Sequence, residues 1–126
     1  MNESLKIMLV DDQKMANFIN KKLIEITDFA HNIVDYTLPD AALLDIENEK
    51  PDLIFLDLNM PIIDGWKFLD SLQQNKNSTR VVIVTSSTSA LDKKKAQSYT
   101  QVIDFLIKPL TRDTILSLKS KLDLAS

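Results

Sequence analysis

Leu53-Ile54-Phe55-Leu56-Asp57 decides how this chain folds. Four consecutive apolar residues with no polar alternation, closed by a carboxylate, fit a short strand buried on both faces. Three further runs share that character. Lys6–Val10 is closed by Asp11-Asp12, residues 81–84 by Thr85-Ser86, and residues 103–107 by Lys108-Pro109. A weaker fifth candidate, residues 31–36, is more polar and reads as an edge strand.

Helix-length segments separate the runs. In Lys14–Ile26, the residues Met15, Phe18, Ile19, Lys22, Leu23 and Ile26 trace a mostly apolar stripe at helical spacing. Pro39 suits the start of a helix over residues 40–48, which carries Leu43, Leu44 and Glu47. Residues 66–74 place Trp66, Leu69 and Gln73 one turn apart, with Leu72 beside them. The Ser/Thr run before Ala90 can cap a helix over residues 90–99. Thr111 can cap a last one, whose Ile115, Leu118 and Leu122 share a face. Strict βα alternation with short connections implies a parallel sheet, right-handed crossovers and helices on both faces. The fold class is α/β: a five-stranded parallel sheet in the flavodoxin-like order 2-1-3-4-5.

Composition narrows the function. With 126 residues, 44% of them apolar and 26% charged, the chain reads as a single globular domain over 1–126. The absence of cysteine excludes disulfides, thiolate metal sites and a Cys nucleophile. A single histidine, His31, excludes a His-clustered metal site and reads as a half-exposed structural residue. A net charge of −3 disfavours nucleic-acid binding, and no apolar run reaches the length of a membrane span. The expected location is the cytoplasm. Gly65 is the only glycine, and a backbone position of positive φ is expected there.

The predicted fold places ligands outside the carboxyl ends of the strands. Asp11, Asp12, Asp57, Thr85, Ser86 and Lys108 stand there. Singly each has a plain reading: a helix cap for Asp11 or Asp12, a strand terminator for Asp57, a capping loop for Ser87–Ser89. Together they are harder to dismiss. Unit charges of one sign repel by about 4 kcal/mol per pair at 4 Å and an effective dielectric near 20. Converging carboxylates therefore call for a cation. Lys108 supplies one charge, and an all-oxygen donor set favours Mg²⁺, which keeps several waters and accepts phosphate oxygens. A carboxylate nucleophile, a divalent ion, a lysine and a hydroxyl are the parts for phosphoryl transfer to aspartate.

The set Asp11-Asp12, Asp57-Leu-Asn-Met-Pro-Ile-Ile-Asp-Gly65, Thr85-Ser86 and Lys108-Pro109 resembles a response-regulator receiver domain of the stand-alone, chemotaxis type over residues 5–124. That resemblance implies Asp57 as phosphoacceptor. It implies Mg²⁺ held by the side chains of Asp12 and Asp57, the Asn59 carbonyl and, through water, Asp11. Lys108 would pair with the acceptor and then with the phosphoryl group. Thr85 and Phe105 would form the switch, and Lys108-Pro109 would be cis. The implied partners are a histidine kinase or histidine phosphotransfer protein, and a downstream protein at the face of the fourth helix, fifth strand and fifth helix. With residue 126 as the end, output is expected through a partner rather than a covalent domain. Gln101 and Val102 depart from the family, which usually has glycine before strand five, so a different turn is expected. Phe105 replaces the tyrosine of the chemotaxis receiver. The alternative is a Mg²⁺-dependent hydrolase of the haloacid-dehalogenase type, whose Asp-x-Asp signature would need an acid where this chain has Asn59. Lys93-Lys94-Lys95 reads as a solvated helix face, and Trp66 and Phe68 as packing residues.

Overall fold

Side-chain alternation along five short strands sets the layers. The computed structural model describes residues 5–60 and 63–125; Pro61 and Ile62 of the acidic motif lie outside them. The described residues form β1 (Lys6–Val10), α1 (Lys14–Ile26), β2 (Asn32–Tyr36), α2 (Pro39–Glu49), β3 (Leu53–Leu56), α3 (Gly65–Gln74), β4 (Arg80–Thr85), α4 (Ala90–Gln97), β5 (Val102–Ile107) and α5 (Arg112–Ala125). All strand pairs are parallel, in the order β2-β1-β3-β4-β5, a flavodoxin-like α/β fold.

Within each central strand, successive residues feed opposite cores. Met8, Val10, Ile54, Leu56, Val81 and Ile83 pack with Ala42, Ile46, Phe68, Leu69 and Leu72 from α2 and α3, and with Ala96 of α4. Ile7, Leu9, Leu53, Phe55, Val82 and Val84 pack with Ile24 of α1 and with Ile115 and Leu118 of α5. The sheet is thus sandwiched between two helical layers.

Several sequence expectations need correction. β5 is apolar but only half-buried, because it is an edge strand; Ile107 is exposed. The α1 stripe faces solvent: Met15 is 66%, Phe18 56%, Ile19 53% and Ile26 63% exposed. The helix buries Asn17 and Ile24 instead, with Leu23 packed alongside. Periodicity found an apolar face but could not say what covers it. Leu44 of α2 is likewise exposed, and Ala42 and Ile46 do the packing.

Gly65 is not in the left-handed region; Asp28, Lys50 and Lys76 adopt positive φ instead. Its need for glycine is one of space. A Cβ there would stand 2.7 Å from the Leu58 Cα and 2.8 Å from the Asp57 carbonyl oxygen. The turn before β5 manages without glycine as anticipated. The Gln101 amide donates to the Asn77 and Thr79 carbonyls at 3.2 and 2.7 Å, and Val102 N–H donates to Tyr99 O at 3.0 Å. β5 also bulges at Ile103, since Val81 pairs with Val102 and Val82 with Asp104. His31 is an exposed residue paired with Asp28. No helix among the described residues is long and apolar enough to cross a membrane.

Candidate functional site

Backbone hydrogen bonds align the strand ends before any side chain is considered. Asp11 N–H donates to Tyr36 O (3.1 Å), Asp57 N–H to Val10 O (3.0 Å) and Lys108 N–H to Thr85 O (2.7 Å). These ladder extensions carry the first residue after β1, β3 and β5 to one edge. There Asp11, Asp12 and Asp57 each offer a carboxylate oxygen, all within 4.8 Å of one another. Neither Asp11 nor Asp12 caps α1, whose N-cap is Gln13 with no side-chain cap bond. The plain capping reading of the acidic pair therefore fails.

Lys108 reaches in from the end of β5 across a cis bond to Pro109. Its Nζ donates to Asp11 Oδ2 at 2.8 Å and lies 3.5 Å from Asp57 Oδ2. The lysine thus engages Asp11 more closely than Asp57, where the resemblance implied pairing with the acceptor. Gln13 N–H donates to Asp11 Oδ1 at 2.9 Å, and Asn59 N–H to Asp57 Oδ1 at 3.2 Å. Burial pushes the Asp57 carboxyl above its ordinary value, as do the Asp11 and Asp12 charges; the Asn59 N–H and Lys108 only partly offset this. For Lys108, burial opposes the charge, but the Asp11 hydrogen bond and the two carboxylates outweigh it and push its pKa up. The site holds its lysine charged and its central aspartate uneasy.

This donor set suits a small hard cation. The oxygens come from three carboxylates on two adjacent loops, and one lysine leaves their charge in excess. The Asn59 backbone lies on the same loop as Asp57.

Thr85 closes the site from β4 and is fully buried. Its hydroxyl oxygen accepts from Asn59 Nδ2 (3.4 Å) and from Ser87 N–H (3.1 Å). Ser87 Oγ in turn donates to Asp92 Oδ2 at 2.7 Å, in the first turn of α4. Ser89 caps α4, its hydroxyl accepting from Asp92 N–H at 3.3 Å, as the Ser/Thr run predicted. Phe105 lies half-buried against the α3–α4 core, beside a cavity of about 290 Å³ that it lines with Ser89, Ala90, Lys93 and Ile107. Two contacts escaped the sequence reading. The Asn59 side chain touches Thr85, and Ser87 bridges Thr85 to α4; no spacing signal distinguishes them from ordinary loop residues. Trp66 packs as anticipated, stacked on Tyr99 at 5.9 Å. Lys95, read as solvated, covers the Trp66 ring at 4.5 Å.

Comparison with known proteins agrees with this architecture. An uncharacterised response regulatory protein of Vibrio cholerae is 32% identical over 97% of this chain and 46% of its own length. A LytT sensory transduction protein of Bacillus anthracis is 28% identical over 93% of the chain, again 46% of its own length. The chain therefore spans about half the length of these curated relatives. A two-component response regulator of Cytophaga hutchinsonii has a solved structure that superposes with a TM-score of 0.84 at 29% identity, covering 96% of this chain and 97% of that one. The receiver domain of a LuxO repressor protein from Vibrio parahaemolyticus gives 0.78 at 28%, covering 97% of each. The family model for the response regulator receiver domain matches residues 7–119, from the first residues of β1 into α5. With acidic strand ends, Thr85 and Lys108 all inside that span, the chain belongs to the response regulator receiver domain family.

Proposed function

We propose that residues 1–126 act as one receiver unit of a two-component phosphorelay, with Asp57 as the phosphoacceptor. Receiver domains take phosphoryl groups from histidine kinases or phosphotransfer proteins and bind Mg²⁺ at an acidic pocket. The observation that carries the assignment is the convergence of Asp11, Asp12 and Asp57 around Lys108 at the carboxyl edge. Asp12 and Asp57 would hold Mg²⁺ through carboxylate oxygens, Asn59 through its carbonyl and Asp11 through water. When bound, the ion supplies charge neutralisation for the incoming phosphoryl oxygens.

An Asp57 oxygen attacks the phosphorus of a phosphohistidine. The P–O bond of an acyl phosphate forms as the P–N bond breaks, and the imidazole leaves with the bonding pair. Lys108, held charged by Asp11, faces the transferred group and stabilises its negative oxygens. The Thr85 hydroxyl has both acceptor positions engaged, by Asn59 and Ser87, so its proton is free to be donated to a phosphoryl oxygen.

Two faces follow from this placement. The donor must reach Asp57 beside Lys108. The exposed apolar side of α1 borders a cavity of about 150 Å³ lined by Ala16, Ile19, Asn20, Lys108, Pro109 and Leu110. That surface is the donor side. The downstream partner reads α4, β5 and α5, where Phe105 borders the cavity beside Ala90 and Lys93. A hydrolase of the haloacid-dehalogenase type would need a proton-transferring group at position 59, and an Asn amide is not one. Release of phosphate is therefore slow, a timer rather than turnover.

Incubation with acetyl phosphate and Mg²⁺ tests the assignment. The chain should acquire one acid-stable, base-labile acyl phosphate that Asp57→Ala abolishes. Undiminished label in that variant would remove Asp57 as acceptor. Steady turnover of phosphate monoesters would instead favour the hydrolase.

A further inference from the structure

Asn17 is a buried polar side chain that the chemistry above does not use. It sits on α1 at 1% exposure, on a helix whose apolar stripe faces outward. Its amide nitrogen donates to the Asp11 carbonyl at 3.1 Å and to the Tyr36 carbonyl at 3.0 Å. Because both partners are carbonyl acceptors, the amide can face them only with its nitrogen. Tyr36 O also accepts from Asp11 N–H at 3.1 Å, so one side chain fastens the ends of β1 and β2 to α1. The turn that follows has one side-chain bond of its own, from Gln13 N–H to Asp11 Oδ1 at 2.9 Å, and Gln13 adds no side-chain cap to α1.

The other half of the amide is a cost. Asn17 Oδ1 is buried and has no protein partner among the described residues. A leucine has nearly the same shape and would carry no unpaired acceptor of its own, but it would take the side-chain donor away from the Asp11 carbonyl. What the amide supplies at this position is the pair of bonds that hold the ends of β1 and β2 to α1.

We infer that Asn17 is a positioning residue for the acidic site. It holds the Asp11-Asp12 turn where these carboxylates meet Asp57, without itself touching metal or phosphoryl group. The inference rests on the function proposed above, because it presumes that the acidic cluster takes up Mg²⁺.

Mg²⁺ titration of the full chain, followed by amide NMR and paired with thermal melting in the absence of the ion, tests it. Groups that orient metal ligands typically change affinity by tenfold or more when removed. Asn17→Leu should raise the Mg²⁺ dissociation constant at least tenfold while its melting temperature stays within about 4 °C of the unmutated chain or rises. Acetyl phosphate labelling of Asp57 should recover at saturating Mg²⁺, which separates lost affinity from lost chemistry. An affinity within twofold of the unmutated value would overturn the inference. So would a tenfold loss accompanied by a melting temperature lowered by more than about 10 °C, which marks a merely structural residue. If Asn17→Leu does not fold, Asn17→Ala removes the same bonds without added bulk and is judged by the same two criteria. Failure of the unmutated chain to bind Mg²⁺ would instead overturn the functional reading, and this inference with it.

Discussion

Replacing Asp57 by Asn should stabilise the fold while abolishing phosphorylation. The carboxylate has two like charges with oxygens no more than 4.8 Å away. At an effective dielectric near 20, each contributes about 3.5 kcal/mol of repulsion. Lys108 at 3.5 Å returns about 5 kcal/mol. The balance is about 2 kcal/mol against the ionised form; solvent at half-exposed Asp12 reduces it and desolvation of Asp57 adds to it. Without Mg²⁺, Asp57→Asn should therefore gain about 1–3 kcal/mol, or about 3–12 °C in melting temperature for a chain of this size. The sign with pH follows from the raised pKa of Asp57. Between its ordinary value of 3.8 and the higher folded value, the folded chain binds more protons than the unfolded chain, so stability falls as pH rises. The advantage of the Asn variant should vanish below about pH 4 and reach its full size once pH exceeds the raised value. Saturating Mg²⁺ should narrow the gap by stabilising the unmutated chain, with its full set of carboxylates, more than the variant. Calorimetry of both proteins from pH 4 to 8, with and without Mg²⁺, reads all three effects. An Asn variant that melts no higher at pH 7 in chelator would refute the electrostatic account of this site.

Three other perturbations have defined outcomes. Gly65→Ala should destabilise by about 1–3 kcal/mol in chemical denaturation, because two of the three close contacts are backbone atoms of Asp57 and Leu58 that cannot rotate aside; an unchanged midpoint would mean the approach is not tight. Chelation of Mg²⁺ should abolish acetyl phosphate labelling of Asp57, and mass spectrometry showing full label in chelator would dismiss the ion. Thr85→Ala should accept phosphoryl at Asp57 yet leave the residue 90–122 amide shifts unmoved; shifts equal to those of the unmutated chain would break the coupling assigned to Thr85.

Much of this was legible because buried parallel strands and their charged ends leave local traces. Leu53–Leu56 followed by Asp57 announces a strand and a strand end at once. Order and crossover follow from the alternation, and the carboxyl edge collects whatever residues close the runs. Legibility failed wherever an apolar or permissive residue has two possible reasons. The α1 stripe has the spacing of a core face, but Phe18 and Ile19 lie in solvent, Ile19 beside Lys108 and Pro109. Gly65 invites a positive φ, whereas its real constraint is the approach of the Asp57 and Leu58 backbone seven to eight residues earlier, a closure of the loop that residue types alone do not reveal. Asn17 was invisible for the converse reason. A polar residue off the stripe reads as solvated, and only the sheet ends above it show where its amide goes.

On the proposal that Asp57 is the phosphoacceptor and Thr85 the switch residue, the route from Asp57 to α4 is a question of hydroxyl accounting. Thr85 has one proton to give and two acceptor positions. At rest, Asn59 Nδ2 and Ser87 N–H fill the acceptor positions, and Ser87 Oγ is tied to Asp92 of α4. A phosphoryl group on Asp57 brings acceptor oxygens and about −1.5 to −2 charges to the same edge. Thr85 can answer without first surrendering a proton bond, so the initial step is cheap. Its oxygen must move toward Asp57, however, and the two accepted bonds lengthen or follow. The 3.4 Å bond from Asn59 is already weak, and Asn59 shares a loop with Asp57. The strain therefore falls on Ser87, the bond that leads to the first turn of α4. Movement of Thr85 toward Asp57 would vacate space behind it for the Phe105 ring, which borders a cavity of about 290 Å³ and has no hydroxyl to anchor either position. Its preference is then set by apolar burial alone, which shifts a two-state balance without any direct contact between the ring and the phosphoryl group. In such a device Ser87, and not the aromatic residue, carries the signal first.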